Sequence, residues 1–140
     1  MTRVDFYSNA RDKLDIVRRL VDKSRQSGQC VLVRATDARL AGEIDRYLWT
    51  QPVLSFQPHV PSSHPLARET PVLIGDDPDA LASPDVLINL DTDTPAYFGR
   101  FERLLEIVGA EEGEVLAGRE RYRFYKARGY ALEHHDLAGR

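Results

Sequence analysis

The chain has 140 residues, 42% of them hydrophobic, with 19 basic and 22 acidic side chains and a formal net charge of −3. That length and apolar content suit one domain, residues 1–140, around a single core, and the acidic balance excludes a surface built broadly to hold nucleic acid. A single cysteine, Cys30, excludes an internal disulfide, and no run approaches the roughly 20 apolar residues of a membrane span, so a cytoplasmic protein without membrane contact is expected.

In chain order, a short apolar-containing start, RVDFY, precedes Leu14, Val17, Leu20 and Val21 at helical spacing. Gly28 closes that helix, because glycine accepts the left-handed conformation that follows a helix end. CVLVRA is a short, nearly continuous apolar run rich in β-branched residues, the pattern of a parallel strand covered on both faces. Residues 36–50 return to helical spacing with Ala41, Ile44 and Leu48 on one stripe and Thr36 or Asp37 as N-cap. Residues 58–71 read as a linker-like Pro/Ser-rich stretch. PVLIG and DVLINL read as two further strands, and residues 95–109 as a helix with Phe98, Phe101, Leu105 and Val108 in line. A last helix runs from about Glu112 to Arg128 and stops at Gly129. The order β-α-β-α-β-β-α-α implies a mostly parallel sheet with helices on both faces.

Neither G-x-G-x-x-G nor G-x-x-x-x-G-K-[ST] occurs, so no phosphate-cradling loop is predicted. The histidines, His59, His64, His134 and His135, lack metal-ligand spacing, and no metal or other cofactor is expected. Asp76, Asp77, Asp91 and Asp93 follow strand ends, where turns need aspartate for backbone bonding as readily as catalysis does.

The informative segment is RERYRFYKARGY, residues 119–130, with five cations, four rings and one carboxylate. On a helical wheel Leu116, Ala117, Phe124 and Ala127 share an arc of about 100° suited to packing on the sheet. Val115, Arg119, Tyr122, Arg123 and Lys126 gather on the other side. That side reads either as a solvated face with snorkelling side chains or as a site for a ligand both anionic and apolar. Trp49 and Phe56 form a second aromatic cluster in a proline-broken segment, either buried beneath loops or bordering a shallow apolar pocket.

The segments FYSNARDKL, IDRYLWTQPVLSFQPH, TPVLIGDDP, DVLINL, FERLLEIV and GRERYRFYKARGYALEHHDL, in this order from Phe6 to Leu137, resemble the chi subunit of bacterial DNA polymerase III. The resemblance implies a Rossmann-like three-layer α/β/α fold without catalytic activity of its own. It also implies a clamp-loader partner, psi, and a docking site for the acidic C-terminal tail of the single-stranded-DNA-binding protein, with DNA met only indirectly. By the same resemblance the tail contacts are Trp49, Phe56, Val108, Arg119 and Tyr122, with Arg119 on the terminal carboxylate. Arg123 and Lys126 join them as neighbours on the same helix face. The chain departs from some chi sequences in having Val115 where they carry lysine. The competing expectation is a module that binds single-stranded nucleic acid directly, stacking bases on rings and holding phosphates with the same cations.

Overall fold

A computed structural model describes residues 1–50 and 58–138. Its elements are β1 (Arg3–Ala10), α1 (Lys13–Gln26), β2 (Val31–Arg34), α2 (Ala38–Trp49), β3 (His59–Pro61), β4 (Val72–Gly75), β5 (Val86–Asn89), β6 (Arg103–Gly109), α3 (Glu112–Ala127) and β7 (Ala131–Asp136), with single 3-10 turns between some of them. The strands form one seven-stranded sheet in the order β3-β4-β2-β5-β6-β1-β7, and every pairing is parallel.

Parallel strands with helices on both faces must be apolar on both faces, and β2, β4 and β5 are apolar along nearly all their length. One core lies under α1 and α2, where Val17, Val21, Ile44 and Leu48 meet Val31, Val33, Val72, Ile74, Val86, Ile88, Leu105 and Ile107. The other lies under α3 and gathers Phe6, Leu32, Leu87, Phe98, Phe101, Leu104, Val108 and Tyr125. Asp37 caps α2 through its carboxylate, which accepts from Arg39 N at 2.8 Å, and Gly28 follows α1 at a φ of +72°.

Three sequence expectations are corrected. Residues 95–109 are not a helix but a 3-10 turn at Phe98–Arg100 followed by β6. β6 lies between β5 and β1, so nearly all of RLLEIVG is buried on both faces, and apolar residues on both faces of a strand, here Leu104, Leu105, Ile107 and Val108, satisfy helical spacing by accident. The stretch read as a linker contributes the three-residue edge strand β3 and a 3-10 turn at Ala67–Glu69. The polar segment ALEHHD, read as no element, is the other edge strand, β7. No helix of the described residues is long and apolar enough to cross a membrane.

Candidate functional site

The helix α3 packs on the sheet by a different stripe from the expected one. Gly118, Arg121 and Tyr125 are its buried residues, while Leu116 is 53% exposed and Ala127 is exposed. A search for an apolar arc misses a stripe that contains an arginine, and here the arginine is neutralised. Arg121 Nε lies 3.1 Å from Glu106 Oε1 on β6, and its Nη1 donates to the Thr92 carbonyl at 2.7 Å. Glu106 also accepts from Tyr125 Oη at 2.6 Å and Asn89 Nδ2 at 2.8 Å. Burial pushes the Glu106 pKa up, against the pull of Arg121, and burial beside Glu106 pushes the Tyr125 phenol up.

Gly118 sets how closely α3 approaches β6. A Cβ there would meet both methyls of Val108 at 2.9 Å, and Val108 is buried and stiff about χ1. Gly118→Ala gains about 1 kcal/mol of helix propensity but incurs an over-packing cost of about 1–3 kcal/mol. The substitution is therefore expected to destabilise the wild-type background and to stabilise a Val108→Ala background, a reversal of sign readable in urea unfolding. The same sign in both would show that Val108 does not set the spacing.

A hollow of about 360 Å³ lies beside this seam, between α3, β6, β1 and β7. Phe6, Val108, Val115, Gly118 and Tyr122 supply its apolar surfaces, Arg119 its α3 rim, and Ser8, Asn9, His134 and Asp136 the opposite wall. Tyr122 is set edge-on against Phe6, with ring centroids 5.2 Å apart. Local chain geometry shapes the polar wall. The β1–β6 register shifts between Tyr7 and Ala10, Asn9 adopts a φ of +58° that asparagine tolerates, and its Nδ2 donates to Asp136 Oδ1 at 2.7 Å. Ser8 Oγ and His134 Nε2 lie 2.6 Å apart.

The volume falls near the lower end of the roughly 300–1,000 Å³ typical of ligand pockets, room for one large side chain and its terminus rather than a dinucleotide. Among the described residues no ion pair occupies Arg119, whereas Arg121 is taken by Glu106 and Arg123 lies 3.6 Å from Glu120. Ser8 and His134 resemble half of a nucleophilic triad, but Asp136 bonds Asn9 and Ala138 N, and no described carboxylate pairs with the imidazole. The arrangement has the chemistry to receive an anion with an apolar neighbour.

Of the residues expected at the site, Val108, Arg119 and Tyr122 come together, and Val115 joins them. Arg123 and Lys126 are exposed on the same helix outside the hollow. Trp49 is not there. It ends α2, its ring centroid 4.6 Å from that of His59 on β3, and its Nε1 donates to Asp45 Oδ1 at 3.2 Å. β3 is one edge of the sheet and β7 is the other, so the expected partnership of Trp49 with Arg119 is corrected. Phe56 lies outside the described residues. The sequence reading missed Phe6, Ser8, Asn9, His134 and Asp136, because only the β1–β7 register brings them together; a glycine inside α3 was the one local sign of a close approach.

The strand-end aspartates have another task. Arg34 at the end of β2 donates to both oxygens of Asp93 (2.9 and 3.2 Å), to Asp76 (3.0 Å) and to Asn89 (3.2 Å), and lies 3.4 Å from Asp91. Its guanidinium holds the Asp93 carboxyl below the usual carboxylate range. Asp77 caps the turn at Pro78–Ala80 by accepting from Asp79 N. The crest where α/β sheets often hold ligands is thus occupied by the chain's own ion pairs.

The family model described as DNA polymerase III chi subunit, HolC, matches residues 1–133. A DNA polymerase III subunit chi from Pseudomonas aeruginosa is 33% identical over 146 aligned residues, covering 98% of both chains. Its counterpart in Escherichia coli is 32% identical over 115 residues, covering 76% of this chain and 74% of its own length, and that of Haemophilus influenzae is 30% identical over 108 residues. A chain from a solved S. cerevisiae Dbp5 complex with Nup159 and Gle1 superposes with a TM-score of 0.66 over 98% of this chain and 42% of its own length, at 11% identity, a likeness of fold alone.

Proposed function

The chain belongs to the DNA polymerase III chi subunit family, and from that premise we propose that it is a non-catalytic, cytoplasmic accessory subunit linking the clamp loader, through psi, to single-stranded-DNA-binding protein. The acidic C-terminal tail of that protein docks in the hollow beside α3. The observation that carries the reading is Arg119, exposed and without an ion-pair partner among the described residues, on the rim of a cavity walled by Phe6, Val108, Val115 and Tyr122. A tail ending in phenylalanine and a free carboxylate is complementary to such a pairing of guanidinium and apolar surface. Arg123 and Lys126 extend the cationic face toward the acidic residues that precede the terminus. In this reading Val108, Arg119 and Tyr122 are contacts of the terminal residue, Arg123 and Lys126 are outer contacts, and Trp49 is not a contact.

Burying one phenylalanine side chain contributes roughly 1.5–3 kcal/mol, and the desolvated carboxylate adds a term of similar size. Against the cost of association, micromolar affinity near −8 kcal/mol is the upper expectation. Calorimetric titration of the full chain with an acidic peptide ending in phenylalanine tests this at two salt concentrations. Micromolar, salt-sensitive binding that is lost when the final phenylalanine is deleted is expected. A peptide that binds equally well without it, or an unpaired oligonucleotide that binds more tightly than the peptide, would overturn the reading.

A further inference from the structure

We infer that His134 is a second anion contact of the same hollow, closing on the peptide's terminal carboxylate from the β7 side while Arg119 holds it from α3. This rests on the tail-docking reading above and adds to it a residue and a pH dependence. The polar wall formed by β1 and β7 faces α3 across the cavity, and His134 and Arg119 both line it. Parallel pairing sets Phe6 beside His134 and Ser8 beside Asp136. The alternation of a strand then sends Leu132, His134 and Asp136 to the α3 side and Glu133 and His135 to the other. His135 accordingly stacks on Tyr7, with ring centroids 4.6 Å apart, and its Nε2 lies 3.8 Å from Asp5 Oδ1.

Ser8 anchors the His134 ring through Nε2, and among the described residues nothing bonds Nδ1. A protonated ring therefore donates one N–H to Ser8 Oγ and has the other available for a carboxylate. The charged groups bordering this space are few. β7 contributes Asp136, which takes a hydrogen bond from Asn9 Nδ2. β1 contributes Ser8 and Asn9, both uncharged, and α3 contributes Arg119. Glu114, farther up α3, is held by Lys13 Nζ at 2.8 Å. With Val115 at the position one turn before Arg119, α3 brings a single cation to the rim, and among the described residues His134 is the other side chain of the lining able to become one.

Imidazole ordinarily titrates near pH 6.5, whereas the peptide's carboxylates stay ionised above about pH 5.5. Binding of an acidic peptide ending in phenylalanine should tighten about three- to sixfold between about pH 8 and pH 6, the upper figure corresponding to one unit of upward shift in the imidazole on binding. Calorimetry on the full chain should show this slope for the wild type and for His135→Gln, and a loss of it for His134→Gln. In NMR titrations, saturating peptide should raise the His134 midpoint, and the peptide's C-terminal carboxamide should not. An unchanged slope in His134→Gln, a flat wild-type profile, or an unmoved His134 midpoint would overturn the inference while leaving tail docking intact. Absence of peptide binding by the wild type at either pH would overturn both.

Discussion

Arg121→Met is expected to lower the free energy of unfolding by about 3–5 kcal/mol, because it strands a buried carboxylate rather than trimming a surface charge. Glu106 is fully buried and Arg121 is 4% exposed. Without the guanidinium, Glu106 keeps only Tyr125 and Asn89 as neutral donors, and its pKa, already raised by burial, loses its largest opposing influence. The sign of the pH effect follows. A carboxyl whose folded pKa lies above its unfolded value of about 4.3 favours the native state in acid and loses that contribution as pH rises through the folded value. The deficit of Arg121→Met relative to wild type should therefore be smallest near pH 5 and full near pH 8 in urea titrations. The double variant Arg121→Met with Glu106→Leu should be more stable at pH 8 than Arg121→Met alone, since no charge remains buried. A loss below about 1 kcal/mol with no pH dependence would mean that the pair does not hold α3 to β6.

That pair also explains which parts of the fold were legible in the sequence. The strands β2, β4 and β5 announce themselves because VLVR, VLIG and VLIN are short, nearly unbroken apolar runs with β-branched residues, as the interior of a parallel sheet demands. α1 is equally plain from Val17, Leu20 and Val21, all buried as expected. β6 is not, because Glu106 interrupts its apolar run with a residue whose partner, Arg121, lies fifteen positions onward on another element. The mistaken stripe on α3 has the same origin: a hydrophobic-face argument takes Leu116 as inward and leaves an arginine out of the packed stripe, whereas Arg121 is buried on Glu106 and Leu116 is exposed. β7 is an edge strand whose side chains are exposed or half-buried, so it has no apolar signal to read.

The candidate site divides along the same line. The three residues carried by RERY and EIV, namely Arg119, Tyr122 and Val108, meet in space because Gly118 lets α3 lie close against β6. Trp49 and Arg119 are joined in the sequence only by the family resemblance, since no spacing in the chain carries information about the distance between them. The strand-end aspartates were ambiguous between turn and chemistry, and the deciding group was Arg34, which no local pattern links to Asp76, Asp91 or Asp93.

Arg119→Ala is expected to weaken tail-peptide binding at least about tenfold, or 1.4 kcal/mol, while the unfolding curve stays within about 0.5 kcal/mol of wild type, as for most exposed substitutions. The lower bound is conservative, since truncating one partner of a desolvated charge pair costs about 2–5 kcal/mol; the rim of the hollow is partly wet and Arg119 is exposed. Arg119→Lys should fall between, because an ammonium retains the charge but cannot grip a carboxylate with two parallel bonds. The residual binding of Arg119→Ala should also depend less on salt than that of the wild type. Trp49→Ala provides the contrast. β3, which carries the His59 ring beside Trp49, is separated from β1 by four intervening strands, a span of about 24 Å at the usual strand spacing. A terminal phenylalanine seated by Val108 and Tyr122 cannot reach that far, so Trp49→Ala should leave the affinity within about twofold of wild type by calorimetry, well inside one 1.4 kcal/mol decade. A tenfold loss in Trp49→Ala with Arg119→Ala unaffected would move the anion-binding surface to the β3 edge of the sheet and leave the hollow beside α3 without a ligand.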